Sequence, residues 1–240
     1  MADGAPVWPS PSSAGLGPFS AELAIWLSPS FPTGGFAYSH GLERLAQVGT
    51  VHDLATLADL LEDLATLGAL HNDLILLATA WRAVSTNETR ALDDVARLAA
   101  ALQPSQERRT ESLAQGAAFA AAIGSAWSSP AVQHLVAVHA DAIAYPIAVG
   151  TAAADRRIDL PASLLAYGIA FSNNLISAAI RLSIVGQVDG QRALARILPT
   201  LHGAATKAAT ATLDDLGGAS FANDIASMEH ETQYTRLFRT

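Results

Sequence analysis

The sequence has no cysteine, a single lysine (Lys207), few aromatics and no unbroken apolar run long enough to cross a bilayer. Without cysteine there is no disulfide framework, thiolate zinc site, iron–sulfur cluster or thiol nucleophile, and the reducing cytoplasm is the expected compartment. With 14 Lys plus Arg against 22 Asp plus Glu the formal charge is -8. That excludes a protein that wraps phosphate backbones, because such binding needs clustered cations. The same charge argues against a helical transcription regulator. The stretch from Leu160 to Ile180 is the most apolar, yet it carries Pro161, Ser163, Ser172, Asn173, Asn174 and Ser177. A membrane span takes ~20 predominantly apolar residues, so this segment reads as a buried helix. No nucleic-acid or membrane partner is expected.

What is present is alanine, 50 of 240 residues, in a chain that is 50% hydrophobic and only 15% charged, with mean hydropathy +0.27. Alanine has the highest helix propensity, and period-two alternation of β-branched residues is missing. From Asp53 the apolar positions Leu54, Leu57, Leu61 and Leu64 follow the three-and-four spacing of an amphipathic helix. Gly68 is expected to loosen or kink it before a second run, Leu70 to Val84. Ser85 and Glu88 have the spacing of a capping box opening a helix to Leu102. Further helices are expected over Ser105–Trp127, Ala131–Ala144, Ile147–Arg157, Pro161–Ile184 and Gly190–Leu216, with Pro146 and Pro199 ending or kinking their segments. The fold class is therefore all-α, a single-domain bundle of roughly eight to ten helices. Residues 1–18, rich in Pro, Ser and Gly, form a leader expected to be flexible; 19–227 form the helical domain and 228–240 a C-terminal tail.

Two segments depart from the alanine-rich pattern. The first, Pro29 to Glu43, concentrates prolines, glycines and aromatics. Gly34-Gly35 permits a positive φ or a close approach, and Phe36 and Tyr38 bring large side chains to the turn. It is either an ordered loop packed on the bundle or a partner surface. It lacks the lysine of a phosphate-binding loop. Ser39, His40 and Glu43 suggest an acid–base site, although adjacency in sequence does not supply the required geometry. The second, His230 to Thr240, places Tyr234, Leu237 and Phe238 among Arg236 and Arg239, residue types enriched at interface cores. It either docks on its own bundle or binds a partner. His134 and His139 are five apart, off the spacing that aligns two ligands on one helical face, and no metal-binding residue is assigned. Asn173-Asn174 reads as a hydrogen-bonded pair at a helix crossing, with a polar lining for a small channel or a dimer contact as the alternative.

The loop P-T-G-G-F-A-Y-S-H-G-L-E and the ending H-E-T-Q-Y-T-R-L-F-R-T together resemble the urease accessory protein UreF family, over about Ser20 to Thr240. Gly186-Gln187 with Gln191 is a weaker match, since Val185 stands where the family often has proline. Thr235 and Thr240 stand where serine is common. The resemblance implies an all-α, dimeric, non-enzymatic assembly factor that bridges a UreD/UreH-type accessory protein and the GTPase UreG. That assembly delivers nickel to apo-urease, so the complex handles the nickel and this chain binds no stable cofactor. Carried over, His230, Glu231, Tyr234, Arg236 and Phe238 are expected tail contacts. Gly35, Phe36, Tyr38, Ser39 and Glu43 belong to the matching loop, and Gln187 to the weaker segment. Removing Thr232 to Thr240 is expected to leave a folded bundle that no longer captures the UreD/UreH-type partner. The rival reading is a helical enzyme with an acid–base site in the Gly34 to Glu43 loop.

Overall fold

The structure, a computed structural model, describes residues 20–240 and is all-α: among the described residues there are eleven α-helices, two 3-10 turns and no strand. The leader, residues 1–18, lies outside the described residues. The helices are α1 (Ala21–Trp26), α2 (Leu42–Gln47), α3 (Leu54–Leu67), α4 (Ala69–Ser85), α5 (Thr89–Ala101), α6 (Gln106–Ala126), α7 (Pro130–His139), α8 (Tyr145–Asp155), α9 (Leu160–Arg181), α10 (Gln187–Ala208) and α11 (Phe221–His230), with 3-10 turns at Gly35–Ala37 and Leu213–Asp215.

Local chemistry explains most of the boundaries. Asp53 caps α3 by accepting from the Thr56 amide at 2.8 Å, and Thr56 Oγ1 accepts in return from the Asp53 amide at 3.1 Å, a complete capping box. Ser105 and Asp159 cap α6 and α9 in the same way. Gly68 separates α3 from α4 outright and does not merely kink one helix.

The expected capping box at Ser85 and Glu88 does not form. Ser85 is the last residue of α4, Asn87 takes a left-handed φ of 59°, and Glu88 precedes α5 without a side-chain cap. The Thr86 hydroxyl instead bonds back to the Arg82 carbonyl at 3.0 Å, closing the old helix and not opening the new one. Pro146 lies in the first turn of α8, where its missing donor is not needed. Pro199 sits inside α10 without ending it. The short helix α2 starts at the last two residues of the Pro29–Glu43 segment and runs beyond it, and the short helix α11 lies mostly before the expected tail, so that residue 228 falls within a helix.

The core is one apolar cluster reaching from Leu23 to Phe238. Its centre is the crossing of α4 and α8. Every residue from Pro146 to Ala154 is buried, so α8 is apolar all round, as a fully enclosed helix must be. The two helices meet so closely that a Cβ at Gly150 would lie 2.5 Å from the Leu77 carbonyl oxygen. Alanine and glycine permit this approach. Around that pair, α9 packs on α10, α3 on α10 and α4, and α6 on α8. Leu54–Ser85 and Leu160–Arg181 are long and apolar enough to cross a membrane by length and composition. About half or more of each window is nevertheless buried against the bundle, 61% and 50%.

Gly116 gives this packing a direct test. A Cβ there would overlap the Ile143 carbonyl, where the chain between α7 and α8 crosses α6. Gly116→Ala is expected to lower stability by about 2 kcal/mol or more through forced backbone movement. Gly124→Ala, in the same helix with open space around it, should raise stability by about 0.5–1 kcal/mol. Thermal unfolding of the two variants reads both signs.

Candidate functional site

The two segments that depart from the alanine-rich pattern lie against one another. The 3-10 turn Gly35–Ala37 starts from Gly34 at φ 71°, and the chain then turns through His40 (φ 59°) and Gly41 (φ 81°) into α2. Gly41 is needed twice over: its φ is left-handed, and a Cβ would stand 3.2 Å from the Ser227 amide nitrogen of α11. The tail runs alongside. The Arg239 amide donates to the Ala37 carbonyl at 2.8 Å, and the Ser39 amide and hydroxyl donate to the Thr240 main-chain oxygen at 2.7 and 2.6 Å.

Glu43, in the first turn of α2, joins loop to tail. Its carboxylate accepts from the Leu237 amide at 2.7 Å and the Phe238 amide at 3.0 Å, and it lies 3.0 Å from His230 Nε2. On the other face of that imidazole, Nδ1 is 2.8 Å from Glu107 of α6. Arg236 donates to the same Glu107 at 3.0 Å. Burial pushes the Glu107 carboxyl up, with His230 and Arg236 opposing. Glu231 accepts from the Gln106 amide at 3.0 Å, at the positive end of α6. The Thr240 hydroxyl donates to Glu111 at 3.1 Å. Arg181, from the end of α9, lies over the Phe238 ring at 4.3 Å and donates to the Phe36 carbonyl at 2.5 Å.

The expected site residues therefore separate by exposure. His230, Phe238, Tyr38, Ser39 and Glu43 are buried within the chain, while Glu231, Arg236 and Phe36 (71%) are exposed and Tyr234 is fully so; Leu237 (64%), not one of the expected residues, is exposed as well. Gln187 is exposed at the first position of α10 and takes no part in the loop–tail hydrogen bonds. Sequence reasoning missed Glu107, Arg108, Glu111 and Arg181. The first three were signalled by charges three and four apart at the start of an otherwise alanine-rich helix.

Beneath the loop is a cavity of about 150 Å³ between α4, α6, α8 and α9, lined by both apolar and polar side chains, with Gly35 and Phe36 in its wall. Asn173 and Asn174 line it, half-buried and without a side-chain hydrogen bond. The channel-lining alternative describes them better than the bonded pair. Arg108 Nη1 lies 2.6 Å from Glu111 but is not aligned as a hydrogen bond, and Arg108 Nε and His40 Nε2 are buried without a partner among the described residues. Burial, with Arg108 adding to it, pulls the His40 imidazole down to about 4, so it is neutral at pH 7. Burial would raise the Glu111 carboxyl, but Arg108 and the hydrogen bonds around it outweigh that and pull it down to about 2. Burial raises Asp73 to about 6, against the pull of Arg108 and of the Tyr167 hydroxyl, which donates at 2.9 Å.

This arrangement does not support acid–base catalysis in the loop. His40 turns toward Glu111 and Glu43 toward His230 and the tail, so the two are not a pair, and both Glu43 oxygens are occupied. Among the described residues no group of three or more His, Asp or Glu side chains is arranged to hold a metal ion.

Comparison with known proteins agrees with the geometry. The profile of the UreF family matches residues 51–198. Both unusual segments lie outside that match, and the alignments to relatives are longer. The chain is 47% identical over 234 residues to the urease accessory protein UreF of Rhodopseudomonas palustris (strain HaA2), covering 95% of this chain and 99% of the relative. It is 45% identical to the protein of that name from Bradyrhizobium diazoefficiens, covering 91% and 90%. Against the one from Xanthobacter autotrophicus it is 44% identical, again covering 91% and 90%.

Two outcomes are expected. Asp73 has its pKa raised on folding, so it costs nothing below its unfolded value near 4 and destabilises increasingly as pH rises through about 6. Asp73→Asn should therefore raise stability at pH 7.5 by on the order of 2 kcal/mol and leave it nearly unchanged at pH 4. Denaturant unfolding at the two pH values measures this. Removing Thr232 to Thr240 strips partners from buried Glu43, Glu107 and Ser39, so the truncated chain should lose roughly 3–5 kcal/mol. The truncated bundle is still expected to fold, at a lower melting temperature, and an unchanged melting temperature would refute the predicted loss.

Proposed function

Because this chain belongs to the UreF family of urease accessory proteins, we propose that it is a non-enzymatic assembly factor for nickel insertion into apo-urease. In this reading it works in the cytoplasm as a homodimer and bridges a UreD/UreH-type accessory protein and the GTPase UreG. Nickel is cargo of the whole complex, and this chain need hold none of it stably.

The observation that carries the reading is the loop–tail unit. The buried Glu43 carboxylate fixes Leu237 through its amide, the exposed Arg181 fixes Phe36 through its carbonyl, and the side chains of Leu237, Phe36 and Tyr234 are all exposed. Large apolar side chains on a rigid support suit a partner surface, because little conformational entropy remains to be lost on binding. Arg181, Arg236 and Arg239 stand beside them in a chain of net charge -8, which favours a partner face carrying carboxylates at its rim. Of the residues expected to touch a partner, Tyr234 and Phe36 do so directly in this reading. His230, Glu231, Glu43, Ser39, Tyr38, Arg236 and Phe238 act by holding the unit in shape, and Gly35 by leaving room beneath it. Gln187, at the exposed start of α10, belongs to a separate contact.

The test is co-expression with the UreD/UreH-type protein, UreG and apo-urease, followed by pull-down and a nickel-dependent urease assay. Tyr234→Asp combined with Leu237→Asp should weaken capture of the UreD/UreH-type partner by at least tenfold and reduce urease activation in parallel. The melting temperature should stay within a degree or two of the parent, since both side chains are exposed. Undiminished capture by this double variant would show that the partner docks elsewhere.

A further inference from the structure

The cavity beneath the loop has an exposed rim and a buried floor. Pro29, Phe36 and Ser177 in its wall are exposed, while Asp73, Arg108, Glu111 and Tyr167 are buried. A dry cavity of about this volume is large enough to take up benzene, so the space of about 150 Å³ suits a ligand of some five or six non-hydrogen atoms.

Two polar side chains in the wall are more than nine-tenths buried, and each has an atom that no described residue satisfies: Arg108 Nε and His40 Nε2. Such atoms are costly unless something pairs with them. Their needs are opposite. Arg108 Nε can only donate. His40 Nδ1 lies 3.5 Å from Glu111 Oε1, and the ring is neutral at pH 7. The single ring hydrogen therefore belongs on Nδ1, facing the carboxylate, and Nε2 is left as an acceptor. The Phe171 ring stands edge-on to this imidazole, with 4.8 Å between centroids, and holds it in place. Two more acceptors converge from α6 and α9. The side-chain oxygens of Gln115 and Asn174 stand 3.4 and 3.6 Å from the point that a Cβ on Gly35 would occupy.

The charges in the wall disfavour ions. Ionised Glu111 offsets Arg108, and Asp73, raised to about 6, adds a negative charge above that value. An anion would meet two carboxylates. A cation would meet the Arg108 guanidinium, whose free N–H needs an acceptor.

We propose that this cavity binds a small uncharged primary amide, whose carbonyl oxygen accepts from Arg108 Nε and whose NH2 group donates to His40 Nε2 and to the side-chain oxygen of Gln115 or Asn174. A primary amide carries a double acceptor and two donors in one plane, which matches the unpaired set. A simple alcohol of the same size has one donor and leaves an acceptor unmet. Tyr145, Tyr167 and Phe171 add flat apolar faces against which a planar group packs. The site needs no partner protein, so it stands or falls apart from the assembly role.

NMR titration of the isotope-labelled full chain with propionamide at pH 7.5 tests the inference. Saturable shifts of the Asn173, Asn174 and Gln115 side-chain amides are expected, with a dissociation constant on the order of a few millimolar, as suits so small a ligand. Propionate, propylammonium and 1-propanol, matched in size and measured at constant ionic strength, should each bind at least tenfold more weakly. Asn174 makes no side-chain hydrogen bond among the described residues, so Asn174→Ala should weaken propionamide binding about fivefold or more with the melting temperature unchanged. Gly35→Ala, whose methyl fits at ordinary contact distance between the two oxygens, should do the same. The absence of saturable shifts up to 50 mM would show that the cavity holds only water and would overturn the proposal. So would tighter binding of propionate or propylammonium, or undiminished propionamide binding by both variants.

Discussion

The Glu43 carboxylate sits where loop, tail and helix α6 meet, and the local structure depends on its being fully paired. A buried carboxylate that loses its partners is penalised by several kcal/mol. Two tail amides and the His230 ring meet this one, and His230 is held in turn by Glu107. The pairing works only if the tail lies along the loop, the loop turns left-handed at His40 and Gly41, and α11 approaches closely enough to need glycine at position 41. One charge thus imposes a conformation on three segments that are far apart in the chain.

The apolar core plays a complementary part. The α4–α8 crossing is built from small residues and is insensitive to direction, as hydrophobic burial generally is. Such a core makes the bundle stable but does not by itself select where a polar tail ends. Buried charge supplies that selection, because only one arrangement satisfies every donor and acceptor. The result is a partner surface whose exposed residues, Phe36, Tyr234 and Leu237, stand on a rigid support.

The cavity under the loop shows the limit of that satisfaction. Among the described residues His40 Nε2 and Arg108 Nε are buried without a partner, in the cavity that Asn173 and Asn174 also line. Polar atoms in such a space are suited to ordered water. Its walls come from the loop, from α4, α6 and α9, and from Tyr145 at the start of α8.

The order of amino acids alone was enough to specify the helical class, the long helices α3, α4, α6 and α9 to within a few residues, the start of α10 though it ends eight residues before the expected Leu216, and the two segments that depart from the alanine-rich pattern. Alanine content, three-and-four spacing and Ser or Asp caps act over a few residues and can be read without the fold. The helices α2 and α11 escaped because the glycines, prolines and small polar residues around them hide their weak amphipathic pattern. The expected capping box at Ser85 failed because a local alternative, the Thr86 hydroxyl on the preceding turn, competed for the same helix end. It took the folded chain to establish that loop and tail are one unit, that His230 and Phe238 face inward while Tyr234 faces out, and that His134 and His139 share Asp93. Those pairings join residues 41 to 201 positions apart, from His134–Asp93 and His139–Asp93 to Ser39–Thr240. No local spacing rule reaches that far: burial in a common low-dielectric interior brings such charges together, and it exists only once the chain has folded.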